Sequence, residues 1–180
     1  NKLVNNVEKW FIDRNMVDDH YLEQYIKLNE EYGELCDANI KNNKGLKSDD
    51  ISEIMDAIGD MQVVAIGLNL KSKCTWKPHL IFNIPERFDL GSWALELSDT
   101  TTILAKIGVT LGKMGEELLD NGYVELETYQ DLIYLLKTYL SNLKGGKIKK
   151  TPKKALELAY EEIKDRKGYT DENGVFHKED

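Results

Sequence analysis

The sequence predicts an all-α protein: an antiparallel helical bundle of about five to six helices with a small irregular or hairpin tail at the carboxyl end. Three observations carry this expectation. The chain has only three prolines, Pro78, Pro85 and Pro152, and the stretches between them are rich in Leu, Glu, Lys and Ile. Most of these residues cost little in a helix. Apolar residues recur at three- and four-residue spacings over long stretches, which is the period of one helix face. Asn, Asp and Gly collect between those stretches, where they supply turns.

A short first helix is expected over residues 3–13, with a polar break over 14–19. A second runs over about 21–40, with Asp18 or Asp19 as N-cap. Its apolar stripe is Tyr25, Leu28, Tyr32, Leu35 and Cys36. The Asn-, Lys- and Gly-rich stretch 41–47 reads as a turn. Ser48 then offers an N-cap, with Asp49 and Asp50 in a first turn that favours acids. This third helix extends to about residue 70. Its later half, 61–70, is largely apolar and should be the most buried segment. Residues 71–93, with Trp76, Pro78, Phe82, Pro85 and Trp93, read as an irregular connection.

Two seams follow, Leu97, Leu104, Ile107, Leu111, Met114 and Leu118, then Leu126, Tyr129, Ile133, Leu136, Leu140 and Leu143. Their period near 3.5 and the joining Asp120-Asn121-Gly122 predict an antiparallel helical hairpin. Ile103, Leu119, Tyr134 and Leu135 widen the apolar faces, so the hairpin should dock on the second and third helices. Residues 145–150 form a basic linker. Thr151-Pro152 opens a final helix, N-cap followed by proline at the first position, which should end near 166–168. In the tail, Asp, Asn and Gly surround Val175-Phe176, a hairpin composition.

A chain of 180 residues is about one domain. With 32 acidic against 24 basic side chains and a net charge of -8, it lacks the basic face that a nucleic acid polymer requires. One phosphorylated ligand held through metal ions remains compatible with that charge. No apolar run approaches the roughly 20 residues that span a bilayer, so no membrane partner is expected. Cys36 and Cys74 form neither a CxxC pair nor a zinc spacing. A reduced, cytoplasmic chain is the simplest expectation.

The chemistry concentrates in carboxylates. The second helix carries Glu30, Glu31, Glu34 and Asp37, and the third carries Glu53, Asp56 and Asp60. At about 100° per residue, Glu53, Asp56 and Asp60 share a stripe roughly 60° wide. Glu31 and Glu34 are similarly close. Both stripes border apolar faces, and antiparallel packing across a short turn lets them face each other. Two carboxylates about 4 Å apart repel by roughly 4 kcal/mol at an effective dielectric near 20. Lys27 is the only base evident on that face, so hard divalent cations are the better counter-charge. All-oxygen ligands suit Mg²⁺, with Mn²⁺ as a substitute. A single acidic pair on a helix is ordinarily a solvated face, and the combination is what departs from that. Gly33 and Gly59 lie inside the same motifs, at a cost of about 1 kcal/mol each against alanine. A tight helix crossing explains Gly33 equally well. A ferritin-like di-iron site is disfavoured, because no Glu-x-x-His occurs.

Residues 24–35, QYIKLNEEYGEL, resemble the ExxE helix of the MazG-like all-α nucleoside triphosphate pyrophosphohydrolases. Residues 56–64, DAIGDMQVV, resemble the second acidic helix of phage-type members, and AYEEIKDRKG followed by GVF resembles their carboxyl end. The resemblance covers about residues 8–72 and 152–178. It implies a Mg²⁺-dependent hydrolase that splits a nucleoside triphosphate, expected to be a deoxynucleotide, into monophosphate and pyrophosphate. Glu31, Glu34, Glu53, Asp56 and Asp60 would hold the metal. Glu31 or Glu34 would take the proton of the attacking water. Lys27, Lys164, Arg166 and Lys167 would hold the phosphates, although cations also suit a helix end.

Two departures stand out. The family's ExxD is met literally by Glu53 and Asp56. Register against the apolar run instead favours Asp60 as the Asp and puts Ala57 where Glu is expected. The hairpin at about 75–150 looks like an insertion, one that would complete within the chain a bundle that relatives complete by pairing. A homodimer stays open. A second ExxD, Glu96 to Asp99, lies where a helix start favours acids anyway. Trp10, Trp76 and Trp93 are expected in the core or a lid, with base stacking as an alternative. His20, His79 and His177 have no visible partner. The competing reading is a helical binding or regulatory module with a decayed site, which would not be stabilised by millimolar Mg²⁺ or Mn²⁺.

Overall fold

The computed structural model describes residues 2–43, 51–84 and 99–179. Among these residues the expected all-α architecture is present. The helices are α1 (Lys2–Asp13), α2 (Tyr21–Asn43), α3 (Ser52–Lys71), α4 (Pro78–Ile81), α5 (Thr100–Asn121), α6 (Leu126–Asn142) and α7 (Pro152–Ile163). The tail is a two-stranded antiparallel ribbon, β1 (Gly168–Thr170) and β2 (Phe176–Lys178), with Gly168 opposite Lys178. The helix count exceeds the expectation by α4, a single turn opened by Pro78 within the connection expected to be irregular.

α3 is the axis of the bundle. Every residue from 61 to 69 is buried, including Gln62 and Asn69, whose amides bond to backbone carbonyls. An apolar helix of this kind must be covered all round, and α1, α2, α6 and α7 cover it. α2 lies antiparallel to α3. Gln24 near its start bonds the Val64 carbonyl, and Lys41 near its end lies 3.7 Å from Glu53.

α7 crosses α3 at Gly59. A Cβ there would run into the carbonyl oxygen of Ala155 and lie 2.8 Å from the Ala159 Cβ. Gly33 is different, because nothing lies within 4 Å of where its Cβ would be. The tight crossing therefore belongs to Gly59, and Gly33 opens onto free space. Thr151 caps α7 by accepting from the Lys154 N–H, with Pro152 in the first turn. α7 ends at Ile163, earlier than expected. Beyond it, the Arg14 guanidinium binds the carbonyls of Lys164 and Arg166, and the Trp10 indole N–H donates to that of Ile163.

α5 and α6 form the antiparallel hairpin. Gly122 closes α5 in the left-handed region at φ 79°, which glycine adopts without steric cost. The hairpin packs on α2 through two tyrosines seven residues apart. Tyr25 and Tyr32 donate to the carbonyls of Leu111 and Leu104, each at 2.7 Å. Their hydroxyls lie over Gly115 and Gly108, where side chains would block them. Ile103 and Leu135 are buried, whereas Leu119 is 74% exposed.

Some expected caps differ. Asp18 does not start α2 directly. Its carboxylate accepts the backbone N–H of His20 and the ammonium of Lys71. Ile51 precedes α3 without a side-chain cap. The expected cap Ser48, its neighbours Asp49 and Asp50, and Pro85, Trp93, Glu96 and Leu97 lie outside the described residues. Asp99 caps α5 by accepting from Thr102, so this member of the second ExxD has a capping role.

The two glycines make a direct test of this packing. Gly59→Ala should destabilise by about 1–3 kcal/mol through overpacking. Gly33→Ala should be neutral or stabilise by up to about 1 kcal/mol. Urea unfolding of both variants checks this, and a reversed order would place the tight crossing at Gly33.

Candidate active site

His20, just before α2, and Gln24, Lys27, Glu31 and Glu34 on one face of it follow at three- and four-residue steps. These side chains form a wall of a cavity of about 580 Å³. The opposite wall comes from α3 (Asp60, Val63, Val64, Lys71), α7 and the turn after it (Ile163, Arg166), α1 (Trp10, Phe11) and the tail (Val175, Phe176, Lys178). The cavity is therefore acidic where α2, α3 and α7 meet and apolar where α1 and the ribbon close it. A second cavity of about 450 Å³ lies beside it, lined by Glu30, Gly33, Glu34, Asp37, Lys41, Glu53 and Asp56. Glu34 borders both.

The expected carboxylates take different positions. Glu31 is 4% exposed, with its carboxylate 2.8 Å from the Lys27 ammonium. Lys27 also reaches Glu30 at 3.0 Å. Burial pulls the Lys27 ammonium down, but the bonds to Glu31 and Glu30 outweigh it and hold its pKa above the ordinary lysine value. Glu34 is exposed and carries no ion pair among the described residues. Asp60 opens on the main cavity, Glu53 on the second, and Asp56 on the second while facing the main cluster.

The electrostatics show a shortage of positive charge. Burial first, then Glu31, Asp56 and Glu162, push the Asp60 carboxyl up to about 7, against the weaker pull of Arg166. Asp56 is raised by burial, Glu162 and Glu31 in that order, again opposed by Arg166. Glu162, on α7, is a member of this cluster that the sequence reading did not assign. Ala155 and Ala159 on the same helix were the available signal, since small residues one turn apart mark a face that can approach another helix closely.

Of the proposed phosphate ligands, Lys27 and Arg166 line the main cavity and Lys164 and Lys167 do not. Lys164 sits one turn from Glu161 and pairs with it at 2.6 Å on the exposed side of α7. Lys167 is exposed, and its carbonyl accepts from Glu179. Trp10 is buried against Phe11 and Phe176 with its N–H bonded and the Arg14 guanidinium 4.7 Å from its ring centre, so little of the ring is open to a base. One histidine has a hydrogen-bond partner: His177 Nε2 lies 2.7 Å from Asp171. His20 Nδ1 is buried and makes no hydrogen bond among the described residues, although it lies 3.3 Å from the Asp18 carboxylate.

Among the described residues, no three His, Cys, Asp or Glu side chains converge closely enough to hold one ion. The donors at the cluster are all carboxylate oxygens. That set fits Mg²⁺, which commonly binds through one or two carboxylates and completes its shell with water and substrate phosphate.

No known family profile matches the chain, and no solved structure matches it. Over 66 residues it is 42% identical to a protein of Haemophilus phage HP1 (strain HP1c1) described as an uncharacterized 18.2 kDa protein in the rep-hol intergenic region. The match covers 36% of this chain and 36% of that protein. The similarity is thus to a phage protein over about a third of each.

The raised Asp60 pKa fixes a sign. With an ordinary value of 3.8 unfolded and about 7 folded, the folded chain holds a proton that the unfolded chain has lost. The stability from this group is full at low pH, falls as pH rises from about 4 to 7, and stays low above. In metal-free buffer, Asp60→Asn should therefore raise the melting temperature at pH 8 and flatten its decline between pH 5 and 8. A variant that melts lower at pH 8 would point to a structural role for the carboxylate.

Proposed function

We propose that the chain is a Mg²⁺-dependent nucleoside triphosphate pyrophosphohydrolase of the MazG-like kind, cleaving a (d)NTP to the monophosphate and pyrophosphate. One observation carries this reading: carboxylates short of positive charge line one end of a cavity whose other end is apolar and aromatic. A nucleotide has the complementary halves, a charged phosphate tail and a flat base. The phage origin of the similar protein suits action on nucleotides in a host cytoplasm.

Mg²⁺ or Mn²⁺ bound at this site would supply charge neutralisation for the phosphates and would lower the pKa of the attacking water. Of Glu31, Asp56 and Asp60, one or two would bind that ion directly and the rest through its waters, with Glu53 contributing charge from the second cavity. Lys27 orients Glu31 through their 2.8 Å ion pair. Glu34 lies at the junction of the cavities with no ion pair among the described residues, and it accepts the water proton. Lys27 and Arg166 hold phosphate oxygens from opposite sides of the cluster. Ala57, where the family has Glu, is 2% exposed and leaves no room for a carboxylate. Glu162 reaches the cluster from α7 and takes over that charge.

Glu34→Gln should lower pyrophosphate release from the preferred substrate by at least about 100-fold, with an unchanged melting temperature. A coupled pyrophosphate assay over the eight common NTPs and dNTPs reads this. Parent-like turnover by Glu34→Gln would show that another group takes the proton. A parent protein that releases no pyrophosphate from any of the eight, and is not stabilised by millimolar Mg²⁺ or Mn²⁺, would instead support a binding module.

A further inference from the structure

We propose that the end of the main cavity remote from the carboxylates is a nucleobase subsite, in which Lys71 and Gln24 read the base edge and select bases with a ring carbonyl next to a ring N–H. This rests on the nucleotide reading above.

The Lys71 side chain is 2% exposed, yet it lines the cavity. An ammonium has three donors, and among the described residues it meets one acceptor, the Asp18 carboxylate at 2.7 Å. A buried charge is costly unless its hydrogen bonds are met, so the remaining donors call for an acceptor from within the cavity. Gln24 lines the same cavity, and its amide packs at Gly67, one turn before Lys71 on α3. Its amide N–H₂ donates to the Val64 carbonyl at 3.2 Å, which leaves its Oε1 as an acceptor. A cationic donor beside a neutral acceptor matches a carbonyl oxygen flanked by a ring N–H. Uracil, thymine and guanine have that edge. Adenine has no carbonyl, and the carbonyl of cytosine lies beside an unprotonated ring nitrogen.

The spacing suits a nucleotide. At the helical rise, Gln24 lies about 10–15 Å along α2 from Glu31 and Glu34. Val63, Val64 and Phe176 line the interval and offer apolar surface to the sugar and the base face. A triphosphate on the carboxylates thus directs its base toward Lys71.

The test uses deoxynucleoside monophosphates, whose binding does not depend on triphosphate hydrolysis. Calorimetry should show dUMP, dTMP and dGMP binding the parent protein at least about tenfold more tightly than dAMP and dCMP, since a polar site left unpaired rejects the wrong edge. Gln24→Met should bring that ratio toward one. So should the double variant Lys71→Met with Asp18→Asn, which leaves no lone buried carboxylate. Equal binding of all five by the parent, or variants that weaken all five alike, would overturn the subsite and leave a purely structural Lys71–Asp18 pair. The two readings separate cleanly. Base-selective binding without pyrophosphate release from any triphosphate sinks the hydrolytic reading alone, and unselective binding with pyrophosphate release sinks only the base inference.

Discussion

The bundle is organised by the need to cover α3. Residues 61–69 of its second half are buried on every side, with Gln62 and Asn69 the polar exceptions, and four helices converge to enclose them. The carboxylates of α3 can emerge only in its first half, where α2 and α7 border it and do not fully cover it. Gly59 then sets the distance. By admitting the backbone of α7 at Ala155, it brings Glu162 and Arg166 beside Asp56 and Asp60. The acidic cluster is thus a by-product of how the apolar axis is packed, and the same contact that stabilises the bundle concentrates negative charge at one end of the cavity.

That concentration is what gives the site its chemical character. Lys27 serves Glu30 and Glu31, and Arg166 opposes Glu162, Asp56 and Asp60 together. Two cations facing this many carboxylates leave Asp60 protonating near neutral pH. Burial sharpens the imbalance, and the chain meets it with a proton on Asp60. A divalent ion would relieve it more completely, because it supplies charge at the point where the carboxylates face one another. The apolar half of the cavity has no part in that balance, and its aromatic wall is assembled from the two ends of the chain, α1 and the carboxyl-terminal ribbon.

Much of the fold was legible because its signals are local. The helix periods, the Thr151-Pro152 start, the Gly122 stop and the hairpin composition of the tail each depend on residues close in sequence. The acidic stripes on α2 and α3 were legible for the same reason, since helical geometry fixes which side chains share a face. What escaped depends on distant contacts. Glu162 joins the cluster through a crossing that lies about a hundred positions away in the chain from α3. Lys71 and Asp18 meet because α3 ends beside the loop that precedes α2. Gly33 and Gly59 looked alike in sequence, and only the position of α7 separates an open glycine from a packed one. The expectation that Lys164 and Lys167 reach the site failed to foresee that α7 stops at Ile163 and turns Lys164 toward Glu161.

The claim on which the rest turns is that the carboxylates of α2, α3 and α7 form a divalent-cation site whose charge is partly held off by a proton. Titration calorimetry of Mn²⁺ into the chain at pH 7, repeated in buffers of different ionisation enthalpy, measures both binding and the protons released with it. The account predicts binding that releases a fraction of a proton at pH 7 and releases none well above pH 8, where Asp60 is already ionised. Absence of binding at millimolar Mn²⁺, or binding at pH 7 with no proton released, would contradict it.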